Sequence, residues 1–337
     1  MKTFFQLAVS TAAGLMLAGP ALAANQSDSP ANRSNAAPQS PGPRTRAANR
    51  PGFRPITEAA KVERDVIYGR GGPVDLKLDL YFPKDTGAKL LPVVMYVHGG
   101  GWQNGDKTAG AGMLTVPELL TRGYLVASIN YRLAPEYKFP AQIEDVKCAV
   151  RFLRAHAKDY QLDPNRIGAL GGSAGGHLVA LLGVSSGAKD LEGQGGWPDQ
   201  SSRVEAVVDL FGPTDLTLST GAKGSRLGEN VFGAKSADDP ILKRASPVTY
   251  VSKDNPPFLI LHGDHDPVVP LRHSEKLLEK LKTASVSAAL VVVTNAAHGF
   301  APAGGEPNPN RAALARIIAD FCDRHLKQGR ATADKEP

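Results

Sequence analysis

Only two cysteines, Cys148 and Cys322, occur in 337 residues, so at most one disulfide is available, and whether it forms depends on where the fold puts them. Beyond the first 23 residues no stretch is apolar enough to cross a bilayer, which needs about 20 residues. No His, Cys or acidic residues fall at metal-ligand spacing, so no metal is expected, and the chemistry that the motifs point to needs no organic cofactor. There is no internal repeat. Acids are scarce in one region alone: the first 55 residues hold six of the 39 Lys and Arg but only Asp28 of the 33 acids, leaving 33 bases against 32 acids. All but one unit of the formal charge of +6 therefore belongs to the N-terminal stretch, and the near-neutral remainder gives no reason to expect a nucleic-acid partner.

That N-terminal stretch has its own logic. Lys2, an apolar run from Phe4 to Leu17 and the small-residue site Ala21-Leu22-Ala23 form a secretory signal over residues 1–23, with cleavage expected after Ala23. Residues 24–55, rich in Pro, Ser, Asn and Arg without apolar periodicity, form an expected disordered linker. A periplasmic or secreted protein without stable membrane insertion is the expectation. Residues 56–330 would be the folded part and 331–337 a disordered tail.

From Val62 onward the pattern is that of strands. Val74, Leu76, Leu78 and Leu80 alternate with Asp75, Lys77 and Asp79, the period of a half-exposed strand, expected to be antiparallel at a sheet edge. Val93–Val97 is continuously apolar, as in a strand buried on both faces, and runs into His98-Gly99-Gly100-Gly101-Trp102. Helical patterns at Leu114–Arg122, Ala141–Ala157, Ala174–Gly183, Pro270–Lys282 and Arg311–Lys327 then alternate with buried-strand patterns at Leu125–Ile129, Arg166–Leu170, Val204–Phe211, Phe258–Leu261 and Ala288–Val293. Such alternation predicts an α/β protein with a mostly parallel sheet and helices on both faces.

Gly171-Gly172-Ser173-Ala174-Gly175 stands between one such strand and helix. A serine at the apex of that turn takes a strained backbone that only small neighbours leave room for, and its Oγ projects above the sheet beside a helix N-terminus. Serine needs a base. Of eight histidines, His156, His273 and His325 lie in helical patterns and are expected at the solvated surface; His98 and His262 end strands before glycine and read as turn structure. His177, one helical turn past the serine, is expected to point away from Oγ, and His265 lies within the acid-bearing turn. His298, on the loop after the last strand, remains as the base. The acid is expected to be Asp266 at the tip of the loop after Phe258–Leu261, with Asp264 bonding its own turn and Asp215 a rival one strand earlier. Ser173, Asp266 and His298 then follow the nucleophile, acid, base order of this architecture. The Ala174 N–H and the glycines after His98 can supply donors to a tetrahedral oxyanion.

With these residues in hand the chain resembles the α/β-hydrolase superfamily, and within it carboxylesterases related to hormone-sensitive lipase and to bifunctional feruloyl and acetyl-xylan esterases. The resemblance rests on His98–Lys107 (HGGGWQNGDK), Asn130–Glu136 (NYRLAPE), Phe139–Leu153, Asp163–Leu182, Pro256–Pro270 and Ala297–Phe300. It implies an eight-stranded, mostly parallel sheet with small polar cap insertions, and Gly100, Gly101 and Ala174 as oxyanion donors. Asp145 and the Asn130 stretch would be structural supports. It also implies that Cys148 and Cys322 lie on opposite sheet faces, too far apart to bridge, as two free buried thiols.

The segments Ser185–Arg203 and Pro213–Ala245 are rich in Gly, Asp, Lys and Ser, unlike the apolar lid of a lipase acting on aggregated fat. They favour a small-molecule or polysaccharide ester of short acyl chain. Trp102 and Phe300 could wall an acyl site or simply pack. An arylformamidase is an alternative, although relatives of that kind usually carry Tyr where Gly101 stands. An exopeptidase-like amide hydrolase is another; peptidases of the prolyl-oligopeptidase kind would be expected to carry a large propeller ahead of the hydrolase domain. A non-catalytic binding module would require loss of a triad or oxyanion residue, and each is present. Oligomeric state is not legible.

Overall fold

The computed structural model describes residues 56–84, 89–218 and 226–328. The expected signal, the whole of the expected linker and the C-terminal tail lie outside them.

The chain is organised by one eight-stranded sheet: β1 (Ala59–Gly71), β2 (Val74–Pro83), β3 (Leu91–Val97), β4 (Leu125–Ile129), β5 (Leu162–Gly172), β6 (Ala206–Leu210), β7 (Phe258–Gly263) and β8 (Ala288–Val293), in spatial order β1-β2-β4-β3-β5-β6-β7-β8. β1 and β2 are antiparallel to each other and β2 is antiparallel to β4; every later pairing is parallel. All seven residues of β3 are buried, because helices cover both faces at its central position. The α/β-hydrolase architecture implied by the resemblance is the one observed.

Helices α1 (Val116–Thr121) and α6 (Arg311–Cys322) pack on one face, where Val116, Leu119, Leu314 and Ile318 meet Val94, Val126 and Val208. The opposite face carries α2 (Ala141–Ala155), α3 (Ala174–Val184) and α5 (Arg272–Thr283), with Ile143, Val150, Leu178 and Leu277 against Val93, Met95 and Val207. A short α4 (Pro240–Arg244) starts where the Asp239 side chain accepts the Ile241 N–H at 3.0 Å. No helix among the described residues is long and apolar enough to cross a membrane.

The alternating segment from Val74 is antiparallel, as expected, but it is not the edge strand. β1 covers it, and Asp79, on the polar side of the alternation, is fully buried with its carboxylate 3.1 Å from Arg64 and 3.0 Å from Lys107. A charged residue in alternation marks a solvent face only while nothing pairs it, and here two cations do.

The cysteines follow expectation: Cys148 belongs to the core under α2 and Cys322 to the core under α6, on opposite sheet faces, and both are free and buried. Burial pushes the Cys148 thiol up to about 11 and the Cys322 thiol up to about 12. Near pH 8 the folded protein should therefore show no thiol reactive toward Ellman's reagent, and unreduced, denatured protein should show both. Finding none after denaturation would mean a disulfide.

The two polar segments are anchored from beneath. Glu192 accepts from Lys147 at 2.7 Å, Arg151 at 2.8 Å and Ser202 at 2.9 Å, clamping residues 185–203 onto α2 around the fully buried Lys147 side chain. The second segment turns Val231, Phe232, Leu242 and Ala245 into the core. Polar composition outside thus coexists with an apolar inner face.

Candidate active site

Ser173 stands between β5 and α3 at φ 57°, ψ −120°, a conformation that costs a non-glycine residue about 1–3 kcal/mol. Its surroundings hold it there: Ser173 N–H donates to Leu210 O at 2.9 Å, and its carbonyl accepts the His177 N–H at 2.9 Å. A side chain at Gly171 would collide with the Gly175 carbonyl, and one at Gly175 with the Val97 carbonyl, so both glycines of the motif are demanded by close backbone approach.

His298 lies on the turn after β8, and its Nε2 is 3.0 Å from Ser173 Oγ. Its Nδ1 is 2.7 Å from Asp266 Oδ2. With Nδ1–H donating to the carboxylate, Nε2 is left to accept the serine hydroxyl. The edge of Phe211 packs against the imidazole, ring centroids 4.8 Å apart, and Phe300 backs Phe211 at 4.9 Å.

Asp266 is fixed on its other oxygen, where Oδ1 accepts the Val268 and Val269 N–H groups at 2.8 and 2.9 Å. Burial pushes its carboxyl upward, but the neighbouring His262 and His298 imidazoles and the Val269 N–H outweigh burial and hold it well below the usual carboxylate range. The rival acid is occupied elsewhere: Asp215 pairs with Lys276 and accepts from Thr217 N–H and Oγ1 at 3.0 and 2.6 Å. Asp264 reaches beyond its own turn to accept the Ala296 N–H at 3.2 Å, tying the acid loop to the base loop.

The glycine loop after β3 lies directly against the serine turn. A Cβ on Gly99 would come within 2.7 Å of Gly172 O and 3.3 Å of Ser173 Cβ. Gly100, Gly101 and Trp102 follow at φ 116°, 60° and 60°, three consecutive left-handed residues, with Gly100 O accepting from Gln103 and Asn104 at 3.2 and 3.0 Å. Ala174 opens α3, so its N–H has no acceptor within the helix. The expected donors Gly100, Gly101 and Ala174 are thus drawn from two loops that touch.

One histidine, His273, contradicts its sequence reading, and two others, His262 and His177, do more than theirs gave them. His273 is fully buried rather than solvated: it shares one helical stripe with Leu277 and Leu281 on the inner side of α5. His262 does more than end a strand, since its Nδ1 meets Ser274 Oγ at 2.6 Å and its Nε2 donates to Val269 O at 2.8 Å, bracing the loop that carries Asp266. His177 points away from Ser173 Oγ, as expected, but into a buried contact with Trp102. Trp102 and Phe300 are both packing residues, 3% and 5% exposed. The missed signal for His273 was its i, i+4, i+8 register with two leucines.

Beside the glycine loop, Val74, Leu76, His98, Tyr131 and Tyr137 line a cavity of about 370 Å³ together with charged residues that include Arg132. His98, one of its lining residues, is stacked on Tyr131 at 4.3 Å, and the Tyr131 hydroxyl donates to His98 O at 3.0 Å. A larger cleft of about 480 Å³ around Arg70, Arg132 and Lys189 contains none of the triad or oxyanion-loop residues, so its size is no guide to the chemistry. Among the described residues no group of three or more His, Cys, Asp or Glu side chains is placed to hold a metal ion.

The BD-FAE family model matches residues 78–281. Esterase LipC of Mycobacterium tuberculosis is 35% identical over 244 residues, covering 70% of this chain and 59% of LipC. The chain spans between 52% and 59% of the length of the three mycobacterial esterases it matches. Among solved structures, a truncated carbohydrate esterase from gut microbiota is 30% identical with a TM-score of 0.68, covering 80% of this chain and 97% of that one. A thermophilic esterase of Thermogutta terrifontis, solved with propionate bound, is 29% identical with a TM-score of 0.65, covering 81% and 96%.

Proposed function

Because this chain belongs to the BD-FAE family of α/β-hydrolases, we propose that it is a serine carboxylesterase acting on short-acyl or carbohydrate-linked esters. The observation that carries the reading is the continuous relay from Ser173 Oγ through both nitrogens of His298 to Asp266, at 3.0 and 2.7 Å.

In that reading Ser173 Oγ attacks the acyl carbon while His298 Nε2 takes its proton. Negative charge moves to the former carbonyl oxygen, which accepts from the Gly100, Gly101 and Ala174 N–H groups. As the tetrahedral intermediate collapses, the C–O bond to the alcohol breaks and His298 returns the proton to the leaving oxygen. Water then repeats the sequence on the acyl-enzyme: His298 takes its proton, the acid departs, and Ser173 regains its hydrogen. Asp266 keeps the imidazole in the tautomer that can accept and stabilises it once protonated.

For the substrate class, the polar composition of residues 185–203 and 213–245 argues against a lipase lid. The similar solved structures, one named a carbohydrate esterase and one bound to propionate, point the same way. The signal-like segment from Lys2 to Ala23 supports export to the periplasm or beyond. The test is a panel of p-nitrophenyl esters of rising chain length beside acetyl-xylan and methyl ferulate. Turnover should be highest on acetate or butyrate and decline with length; a maximum on long acyl chains would overturn the substrate class, and no turnover of any ester would overturn the activity.

A further inference from the structure

We propose that His177 is a positioning residue for the oxyanion loop: its neutral imidazole holds the Trp102 indole and thereby fixes the Gly100–Gly101 turn against the nucleophile helix. The proposal rests on the reading above, that this turn supplies donors to the oxyanion.

The tautomer follows from the partners. His177 has no solvent exposure, and its Nε2 lies 2.8 Å from the Ala245 carbonyl oxygen, which can only accept. Nε2 therefore carries the hydrogen and Nδ1 is free to accept. The Trp102 indole N–H, which can only donate, meets that Nδ1 at 3.2 Å. The rings cross edge to face with centroids 5.1 Å apart, and Phe232 packs on both, 5.2 Å from Trp102 and 6.1 Å from His177.

Trp102 needs such a hold. At φ 60° it continues a left-handed run begun by two glycines, a conformation a bulky L-residue adopts reluctantly. One tether is on its backbone, where Trp102 O accepts the Ala134 N–H at 2.9 Å. The other is the imidazole of His177, a residue one helical turn past Ser173 whose backbone N–H donates to the Ser173 carbonyl. One side chain thus joins the nucleophile helix, the oxyanion loop and, through Ala245, the inner face of the second polar segment. Burial lowers His177 to about 4, so near neutral pH the ring keeps the acceptor that the indole requires.

Three variants test this with p-nitrophenyl acetate: Trp102→Phe removes the indole donor, His177→Leu removes the acceptor, and His177→Asn places an amide oxygen near the position of Nδ1. A displaced oxyanion donor predicts kcat down by about 10- to 100-fold in the first two, with KM changed by less than about threefold. The double variant Trp102→Phe/His177→Leu should be no slower than the slower single one, because both break the same bond. His177→Asn should recover most of kcat. Wild-type kcat in Trp102→Phe, or losses that multiply in the double variant, would overturn the proposal, and Trp102→Phe alone still decides it if His177→Leu fails to fold. An active Ser173→Ala protein would instead overturn the serine-esterase reading itself.

Discussion

Ser173→Ala should lose ester turnover by roughly 10⁴- to 10⁶-fold in kcat while keeping its fold. The change deletes one oxygen and nothing that holds the turn. Both backbone bonds at Ser173 remain, to Leu210 O and from His177 N–H. His298 loses a partner at Nε2 but is partly solvent-exposed, its side chain at 24%, so no buried group is stranded. Melting should therefore be nearly unchanged, which separates loss of chemistry from loss of structure. His298→Ala should fall in the same range, and the double variant should be no slower than either single one, because nucleophile and base act as a unit. The measurement is steady-state hydrolysis of p-nitrophenyl acetate beside a thermal melt. A Ser173→Ala protein keeping more than about a tenth of wild-type kcat would remove Ser173 as the nucleophile.

That serine was legible because its constraints are local. The strand before it, the helix after it and the glycines two residues to either side leave a signature within about a dozen residues, and the structure supplies the collisions that explain each glycine. Asp266 and His298 were legible through chain order, since parallel strands deliver their following loops to one edge of the sheet. What stayed hidden depended on neighbours distant in sequence. Asp79 reads as a solvent-facing residue until Arg64 and Lys107 are seen to pair it, and β1 covers what alternation alone would leave at the edge. His262 reads as the end of a strand because nothing local announces that Ser274, twelve residues on, will meet its ring. The second polar segment reads as surface because its few apolar residues are dispersed, and only folding gathers Phe232 onto Trp102 and His177. Short-range backbone demands are written in the sequence; the identity of a buried polar group's partner is not.

The acid was a choice between candidates, and Asp266→Asn gives the sharpest test of it. Asp266 Oδ1 already accepts two backbone N–H groups, from Val268 and Val269. In the asparagine variant those donors hold the amide oxygen where Oδ1 was, so the amide nitrogen must take the place of Oδ2, facing His298 Nδ1. An NH₂ group there donates, Nδ1 must accept, and the ring's hydrogen moves to Nε2. Nε2 then points an N–H at Ser173 Oγ instead of a lone pair. The residues remain in place, yet the base cannot take the serine proton, and kcat should drop by about 10⁴-fold with little change in KM. Asp215→Asn is the matched control. It gives up the ion pair with Lys276 and leaves His298 untouched, so activity should stay within about threefold of wild type. A protein inactivated by Asp215→Asn and spared by Asp266→Asn would reverse the assignment, because only the residue that sets the imidazole tautomer can stop proton transfer without moving either partner.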